Sequence, residues 1–276
     1  MTGQEPRDAG VRFDFYGAQY SRFAGDLARA MRRAVYGADL GQQGWRDAED
    51  EAAIAELVAA GPPGPVLDVA CGSGGPSLAL AERTGCQVTG IDIEAAAIAY
   101  ATAQAAARGL NGRVAFVTMD CRARLPFADG AFAALLCIDA INHLPDRFAT
   151  LAEWARLLRP GGRLLFIDPI VLTGALSKEE FDIRASLGFY LVVPPALNEQ
   201  AIAAAGLSLL RRADRTAAGA AIAARWHDVR AGHAEALARE EGAEFFSRRQ
   251  RFLATTAELA ASGRLSRFLY VAEKTA

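Results

Sequence analysis

The chain has 276 residues, of which 52% are hydrophobic and 22% are charged, so it is long enough to bury a large apolar core. Its formal net charge of −2 gives no overall positive field, so we expect a small-molecule partner and neither nucleic acid nor a membrane surface. The four cysteines form no CxxC pair and no apolar run is long enough to span a bilayer, which predicts no metal site, no disulfide framework and a cytoplasmic location.

The first 60 residues predict a helical cap. Residues 11–60 are typical of two or three helices, and they precede the first core strand. A segment in that position can fold over the carboxyl edge of a sheet, so we assign residues 1–60 to this cap. Its aromatic side chains are Phe13, Phe15, Tyr16, Tyr20, Phe23, Tyr36 and Trp45.

Residues 65–169 alternate short apolar runs with segments whose apolar residues recur at helical spacing. Strict alternation of strand and helix predicts a parallel, doubly wound sheet. The runs are apolar at nearly every position, as expected of strands that helices cover on both faces. The predicted strands are PVLDVA, CQVTGIDI, RVAFVTM, FAALLCI and GRLLFIDP.

The rest of the chain predicts further elements of the same domain, which we assign to residues 61–276. Residues 197–213 are typical of one helix and one strand, and RLSRFLYVAEK of a last strand. Between them, residues 215–262 predict a helical insert whose arginines and acids are interspersed, which indicates a solvated face and not a nucleic-acid surface. We expect this insert to act as a lid that excludes water from a substrate. Its possible wall residues are Trp226, His227 and Phe246.

The first predicted strand leads into a glycine-rich turn, PVLDVACGSGGP. Glycine at such a turn permits positive φ and a close approach of a ligand, and Pro76 suits the first turn of the helix that follows. In an open α/β sheet, ligands bind beyond the carboxyl ends of the strands, which is where this turn is placed. The turn is therefore a candidate cofactor site.

Two cofactor classes use such a turn. A dinucleotide site calls for G-x-G-x-x-G, whereas the spacing from Gly72 gives GSGGPS, with Ser77 at the third glycine position. Asp92, at the end of the second strand, could accept hydrogen bonds from ribose hydroxyls in either class. Asp92 and Asp120 would also serve as helix N-caps. These residues alone leave the cofactor class open.

Three further stretches, VTMDC, CIDAINHL and LLRPGGRLLFIDP, complete a set with VLDVACGSG and VTGIDIE. As a set they resemble the class I methyltransferases that use S-adenosylmethionine. The resemblance implies an α/β fold with a doubly wound, Rossmann-like, seven-stranded and mostly parallel sheet, to which the helical N-terminal segment and helical C-terminal insert are added. It also implies S-adenosyl-L-methionine as cofactor and S-adenosyl-L-homocysteine as product.

The family pattern assigns roles to the residues of these stretches. The glycines would contact the amino-acid portion and the ribose of the cofactor, Asp92 the ribose hydroxyls, and Asp120 with the Cys121 backbone the adenine. The family more often has glycine where this chain has Ala70, and alanine is tolerated there if its φ is negative. The full implied cofactor set is Asp68, Ala70, Gly72, Ser73, Gly74, Asp92, Ile93, Asp120, Cys121 and Asp139.

DAINHL also resembles a stretch of phosphoethanolamine methyltransferases, in which the histidine assists deprotonation together with an N-terminal tyrosine. Methyltransferases of glycine derivatives and of natural products share this plan. The resemblance implies His143 as the base, and a packing histidine is the alternative. Asp168 could meet a cationic amine or could be a turn acid before Pro169. The candidate partners of His143 are Tyr16, Tyr20 and Tyr36, and the predicted substrate pocket comprises Tyr36, Asp168, Tyr190 and Trp226.

The predicted function is transfer of a methyl group to an amine or hydroxyl of a small metabolite, by a monomer or homodimer. An NAD(P)-dependent reductase is one alternative, which Ser77 disfavours. A non-catalytic protein that keeps the cofactor pocket as a scaffold or sensor is another, and the intact DAINHL stretch argues against it. The substrate, the acceptor atom and the number of methyl groups stay open.

Overall fold

The computed structural model describes residues 15–275, so the first 14 residues of the predicted cap lie outside the described residues. The strands are β1 Val66–Val69, β2 Val88–Asp92, β3 Val114–Thr118, β4 Phe132–Ile138, β5 Leu158–Leu172, β6 Leu207–Asp214 and β7 Leu265–Lys274. The helices are α1 Phe15–Tyr20, α2 Asp26–Tyr36, α3 Ala48–Ala59, α4 Gly75–Thr84, α5 Ala95–Ala107, α6 Arg147–Leu157, α7 Lys178–Arg184, α8 Leu197–Ala204, α9 Thr216–Ala231, α10 Ala234–Glu241 and α11 Ala243–Ala261.

All seven strands form one sheet in the order β3-β2-β1-β4-β5-β7-β6. Strands β1 to β5 pair in parallel, and β7 is antiparallel to both β5 and β6. The predicted fold class is therefore confirmed. The strand order reverses between β1 and β4, so the crevice beyond their carboxyl ends is the expected ligand position.

Strand β1 separates two apolar clusters, one on each face of the sheet. Leu67 and Val69 pack with residues of α6 and α8, whereas Val66 packs with residues of α3, α4 and α5. Neighbouring side chains of a strand point to opposite faces, and every residue of β1 is buried. Apolar residues at consecutive positions of this strand are thus explained by cover on both faces.

A third apolar cluster joins the N-terminal segment to the C-terminal helices. Met31 and Val35 of α2 pack with Ile222 of α9 and with Phe252 of α11. The two segments predicted as cap and lid therefore share one apolar contact region. Among residues 15–275, no helix has both the length and the apolar character needed to cross a bilayer.

Candidate active site

A cavity of about 250 Å³ lies beyond the carboxyl ends of β1, β2 and β4. The glycine turn and the ends of β2 and β4 line one part of it, and residues of α1, α7, α9 and α11 line the rest. The predicted site residues that line it are Tyr16, Tyr20, Ala70, Gly72, Ser73, Asp92, Ile93, Asp139, His143, Tyr190 and Trp226. The predicted residues outside its lining are Tyr36, Asp68, Gly74, Asp120, Cys121, Asp168, His227 and Phe246.

Asp92 ties the glycine turn to the end of β2. Its Oδ2 accepts a hydrogen bond from the backbone N–H of Gly72 at 2.7 Å, and its Oδ1 accepts from the N–H of Glu94 at 2.9 Å. Burial raises the pKa of Asp92 above its ordinary value. A Cβ on Gly72, where φ is 56°, would lie 2.5 Å from the Tyr20 hydroxyl. Glycine therefore avoids a clash with the Tyr20 hydroxyl at this point of the turn, beside a carboxylate that can accept further hydrogen bonds.

The next two residues of the turn have packing roles. The Ser73 hydroxyl is buried and donates to the carbonyl of Gly41 at 2.6 Å, which fixes the loop after α2 against the turn. Gly74 has a φ of 72°, and a Cβ there would lie 2.5 Å from Phe116 and 2.7 Å from Ala101. Gly74 therefore allows the turn to approach β3 and α5, and it does not line the cavity that it was predicted to line.

The backbone at Ala70 differs from the expectation. Its φ is 57°, in the left-handed region, so the condition under which alanine would be tolerated, a negative φ, is not met. An L-residue there costs about 1–2 kcal/mol because its Cβ approaches the following carbonyl oxygen. Ala70 lies between β1 and the glycine turn, so this strain falls where the chain enters the turn.

Asp68 lies beneath the turn, outside the cavity. It is buried, and the Ser77 hydroxyl donates a hydrogen bond to its Oδ2. Burial raises the pKa of Asp68 to about 6, although the hydrogen bond from Ser77 opposes the shift. Ser77, which occupies the third glycine position of a dinucleotide motif, thus binds the carboxyl group at the end of β1. The structure does not bring Asp68 into contact with the cavity.

The predicted adenine ligands also lie outside the cavity lining. The carboxylate of Asp120 is bound by the guanidinium of Arg122, with a shortest distance of 2.7 Å, and this pair is exposed. Cys121 packs against the core cluster on one face of the sheet. The assignment of Asp120 and Cys121 to adenine stays a prediction, since the Arg122 side chain would have to leave the carboxylate.

Asp139 follows β4 with a φ of 56°, and its carboxylate is nearly fully buried. Its Oδ1 accepts from Nε of Arg267 at 2.8 Å, and its Oδ2 accepts from the backbone N–H of Trp45 at 2.9 Å. The same guanidinium also binds Asp50 at 2.8 Å. This carboxylate therefore joins β4, β7 and the loop before α3, and its contact with a cofactor stays a prediction.

His143 ends a short 3-10 turn, Ile141–His143, and lines the cavity. Its Nδ1 lies 2.9 Å from the carbonyl oxygen of Phe189, which can only accept, so Nδ1 bears the proton in the neutral ring. The lone pair of Nε2 is then free to accept from the Tyr16 hydroxyl at 2.9 Å. Burial lowers the pKa of His143, although the hydrogen bond to Phe189 opposes the shift. The ring is therefore neutral near pH 7, with its acceptor nitrogen toward Tyr16.

Aromatic side chains surround this histidine. The ring of Tyr190 lies 5.0 Å from the His143 ring, and the Tyr16 ring lies 5.4 Å from it. Burial raises the pKa of Tyr16 and of Tyr20 well above the usual value for a tyrosine. Both hydroxyls are thus protonated near pH 7 and can donate. Of the three tyrosines predicted as partners of His143, Tyr16 is the one whose hydroxyl forms a hydrogen bond with it.

Two predicted substrate-pocket residues lie elsewhere. The Tyr36 hydroxyl donates a hydrogen bond to the Gly44 carbonyl at 2.9 Å and accepts one from Nε1 of Trp226 at 3.0 Å. Both hydrogen bonds of this hydroxyl are therefore made to other parts of the protein. Asp168 is fully buried. Its carboxylate accepts from Arg147 at 2.8 Å and from Asn198 at 3.0 Å. The guanidinium of Arg147 already neutralises this acid, and its contact with a substrate amine stays a prediction.

The sequence analysis did not select several polar residues that line the cavity, among them Arg46, Asn142, Arg184 and Arg249. Arg46 directly follows Trp45 of the predicted cap, and Asn142 lies next to His143 inside DAINHL, so both adjoin residues that were singled out. Arg184 ends α7, a helix that was not predicted, and Arg249 lies among the many arginines of α11. No sequence pattern separates the last two from surface arginines.

Comparison with known proteins agrees with the geometry. Residues 66–162 match a family model described as a methyltransferase domain. Methyltransferase GfsG of Streptomyces halstedii is 41% identical over 111 residues, which are 40% of this chain and 39% of that protein. The chain thus spans less than half the length of this curated relative.

Two solved structures share the fold over nearly the whole chain. Phosphoethanolamine N-methyltransferase 2 of Haemonchus contortus, in complex with phosphomonomethylethanolamine and S-adenosylhomocysteine, gives a TM-score of 0.76 at 18% identity, covering 95% of this chain and 61% of that one. The cyclopropane synthase MmaA2 of Mycobacterium tuberculosis gives 0.78 at 16% identity, covering 96% and 99%. Residues 66–162 are thus similar to a methyltransferase domain, and the two solved structures show that the chain shares their fold.

Proposed function

We propose that this protein is an enzyme that transfers a methyl group from S-adenosylmethionine to an amine or hydroxyl of a small molecule. One observation carries the proposal: a single cavity contains both the glycine turn with Asp92 and the Tyr16–His143 pair. The glycine turn with Asp92 suits the binding of a nucleoside, and the Tyr16–His143 pair suits the removal of a proton. A cofactor site and a base that share a cavity are the minimum that methyl transfer to a protonated nucleophile requires.

The residues at the glycine turn fit the cofactor. Glycine at position 72 avoids a clash between a Cβ and the Tyr20 hydroxyl, and Asp92 retains acceptor capacity for ribose hydroxyls. Asn142 Oδ1 is buried without a hydrogen-bond partner and belongs to a residue that lines the cavity. A donor on a bound ligand would satisfy it. Asp92, Gly72 and Asn142 are therefore the residues that we propose to hold the cofactor.

When bound, S-adenosylmethionine supplies a methyl group on a sulfonium centre whose leaving group is a neutral thioether. The protein must then position the acceptor and take its proton. Because the Tyr16 hydroxyl already donates to Nε2 of His143, an acceptor O–H or N–H beside Tyr16 can donate to the tyrosine oxygen. The Tyr16 proton moves to Nε2 as the acceptor proton moves to Tyr16. His143 ends as the imidazolium, and the hydrogen bond from Nδ1 to Phe189 holds its ring in place.

We also propose that residues 1–60 and 215–262 act as cap and lid over the reaction. Three observations support this. Tyr16 and Trp45 line the cavity from the N-terminal side, Trp226 and Phe252 line it from α9 and α11, and the two segments share an apolar cluster. Closure of such a cover would exclude water from the transfer. A cytoplasmic location and a monomeric or homodimeric state remain predictions from the sequence.

The relatives support a small-molecule acceptor. One is named a methyltransferase, and the Haemonchus contortus enzyme is named for methylation of an amine. A protein named a cyclopropane synthase shares the fold, so the fold alone leaves the acceptor undetermined.

The test is transfer of an isotope-labelled methyl group from S-adenosylmethionine to panels of small amines, phenols and sugars. We expect label in one acceptor class, and a His143→Gln variant that binds S-adenosylhomocysteine as the wild type does but transfers label at least about 100-fold more slowly. Cofactor binding without transfer to any acceptor would support a non-catalytic role instead.

A further inference from the structure

Arg184 is a buried cation without a matching anion. It ends α7, which a capping box of Ser177 and Glu180 starts, and the residue is only 4% exposed while lining the cavity. Its Nε and Nη1 have no hydrogen-bond partner. Among residues 15–275, no carboxylate forms an ion pair with it. Its guanidinium forms a hydrogen bond with the Tyr190 side chain, and the ring centroids of Tyr190 and Phe252 lie 5.2 and 4.7 Å from its guanidinium carbon.

These neighbours compensate only part of the cost of burial. Contacts of a cation with aromatic faces stabilise it modestly, whereas removing its charge from water costs more than such contacts return. Burial lowers the pKa of Arg184, and the electrostatic attraction of Tyr190 opposes the shift. An anion in the cavity would supply the missing interaction and would accept from the unpartnered N–H groups.

A second arginine strengthens the positive potential in this part of the cavity. Arg249 of α11 also lines it, and burial together with the nearby Arg230 lowers the pKa of Arg249 to about 9. The acids of the cavity lie elsewhere. Asp92 and Glu94 lie beside the glycine turn, where their charges raise the pKa of Tyr20. The carboxylate of Asp139 is bound by the guanidinium of Arg267.

The position of Arg184 associates it with the acceptor and not with the cofactor. The positive charge of Arg184 acts to lower the pKa of Tyr16 and of His143, the pair that we propose to take the proton. The charge of Arg46, in contrast, acts to lower the pKa of Asp68 and of Cys71 at the glycine turn. Arg46 is therefore better placed than Arg184 to bind a carboxylate of the cofactor.

We propose that the acceptor molecule carries an anionic group, a carboxylate or a phosphate, which binds Arg184 while its nucleophile faces Tyr16 and His143. This inference rests on the proposed function, because it names the substrate class of the same site. An anion on Arg184 fixes one end of the acceptor and leaves the other end at the base. Neutral analogues then lose most of their affinity, since they leave the guanidinium uncompensated.

The test is calorimetric titration of the protein, saturated with S-adenosylhomocysteine, with matched anionic and neutral probes. The carboxylate arm compares para-hydroxybenzoate with its methyl ester, and the phosphate arm compares phenyl phosphate with phenol. The variants are Arg184→Gln, which removes the charge, and Arg184→Lys, which keeps it. Arg225→Gln makes the same charge change on the exposed face of α9 and is the control.

We expect the anionic member of at least one pair to bind the wild type about 10- to 100-fold more tightly than its neutral partner. Arg184→Gln should abolish this preference, Arg184→Lys should keep part of it, and Arg225→Gln should keep all of it. Retained binding of S-adenosylhomocysteine shows that each variant is folded. Should Arg184→Gln not fold, the wild-type pairs and Arg184→Lys decide the outcome.

Equal affinities within both pairs for the wild type, or an unchanged preference in Arg184→Gln, would overturn the anion site. Methyl transfer to neutral and anionic acceptors alike would overturn it while leaving the proposed function intact. A clear anionic preference without any methyl transfer would support the anion site while contradicting the proposed function.

Discussion

The hydroxyl of Tyr16 lies 2.9 Å from Nε2 of His143, although the two residues are 127 positions apart in the chain. The contact brings an N-terminal helix onto the loop after β4, at the carboxyl edge of the sheet. The Phe189 carbonyl holds Nδ1 on the other side of the ring. Three distant segments therefore fix both the orientation and the tautomer of one imidazole.

The first prediction concerns this pair. Replacing His143 by Gln should lower turnover at least about 100-fold, because no other group at that position can take the proton. Tyr16→Phe, which keeps the ring and removes the hydroxyl, should also lower turnover. The double variant should be little slower than the slower single one, since the two residues act as one unit. Initial rates of methyl transfer measure this, and two independent, additive losses would contradict a proton relay.

The second prediction concerns pH. The base must be neutral to act, and burial lowers the pKa of His143 below its ordinary value. As pH falls through that lowered pKa, the ring becomes protonated and the rate is lost, whereas above it the rate is constant. A profile of kcat/KM against pH should therefore show an acid limb whose apparent pKa is below that of free histidine. The limb should be absent in His143→Gln. A limb that persists in that variant would belong to another group.

The third prediction separates two acids with similar sequence contexts. Asp92→Asn should weaken binding of S-adenosylhomocysteine by about 1–3 kcal/mol, because the amide cannot accept at both oxygens from the turn and from ribose hydroxyls. Asp120→Asn removes a carboxylate that pairs with Arg122 at an exposed position, so its effect should be below about 1 kcal/mol. Calorimetric dissociation constants decide the comparison. An equal loss in the two variants would restore Asp120 to the adenine site.

The fourth prediction concerns Arg267, whose guanidinium binds Asp139 and Asp50. Arg267→Gln leaves the buried carboxylate of Asp139 without its counter-charge, while Asp50 keeps its ion pair with Arg215, so the free energy of unfolding should fall by about 3–5 kcal/mol. Arg212→Gln breaks an ion pair with Glu199 in which the arginine is half exposed, and it should cost at most about 1 kcal/mol. Denaturant unfolding of both variants measures the difference. Similar small losses would show that the buried network contributes little.

The sequence was sufficient to predict the sheet and the glycine turn, because both depend on local patterns of residues. Consecutive apolar residues in β1 reflect cover on two faces, and Gly72 reflects the lack of room beside Tyr20. The placement of Asp92 against the turn followed from its position at the end of a neighbouring parallel strand.

What the sequence could not predict depends on distant partners and on local backbone conformation. Asp168 forms an ion pair with Arg147 and accepts a hydrogen bond from Asn198, and a motif shows neither partner. Ala70 adopts a positive φ that an alanine does not indicate. Arg184 differs from the arginines of a solvated helix only in what surrounds it, which the three-dimensional packing determines.

The central claim is that this cavity binds S-adenosylmethionine. The most direct measurement is calorimetric titration of the purified protein with S-adenosylmethionine, S-adenosylhomocysteine and NADH in parallel. The account predicts that the first two bind and that NADH does not, because Ser77, which donates a hydrogen bond to Asp68, occupies the position at which a dinucleotide turn would need its third glycine. Binding of NADH alone would contradict it.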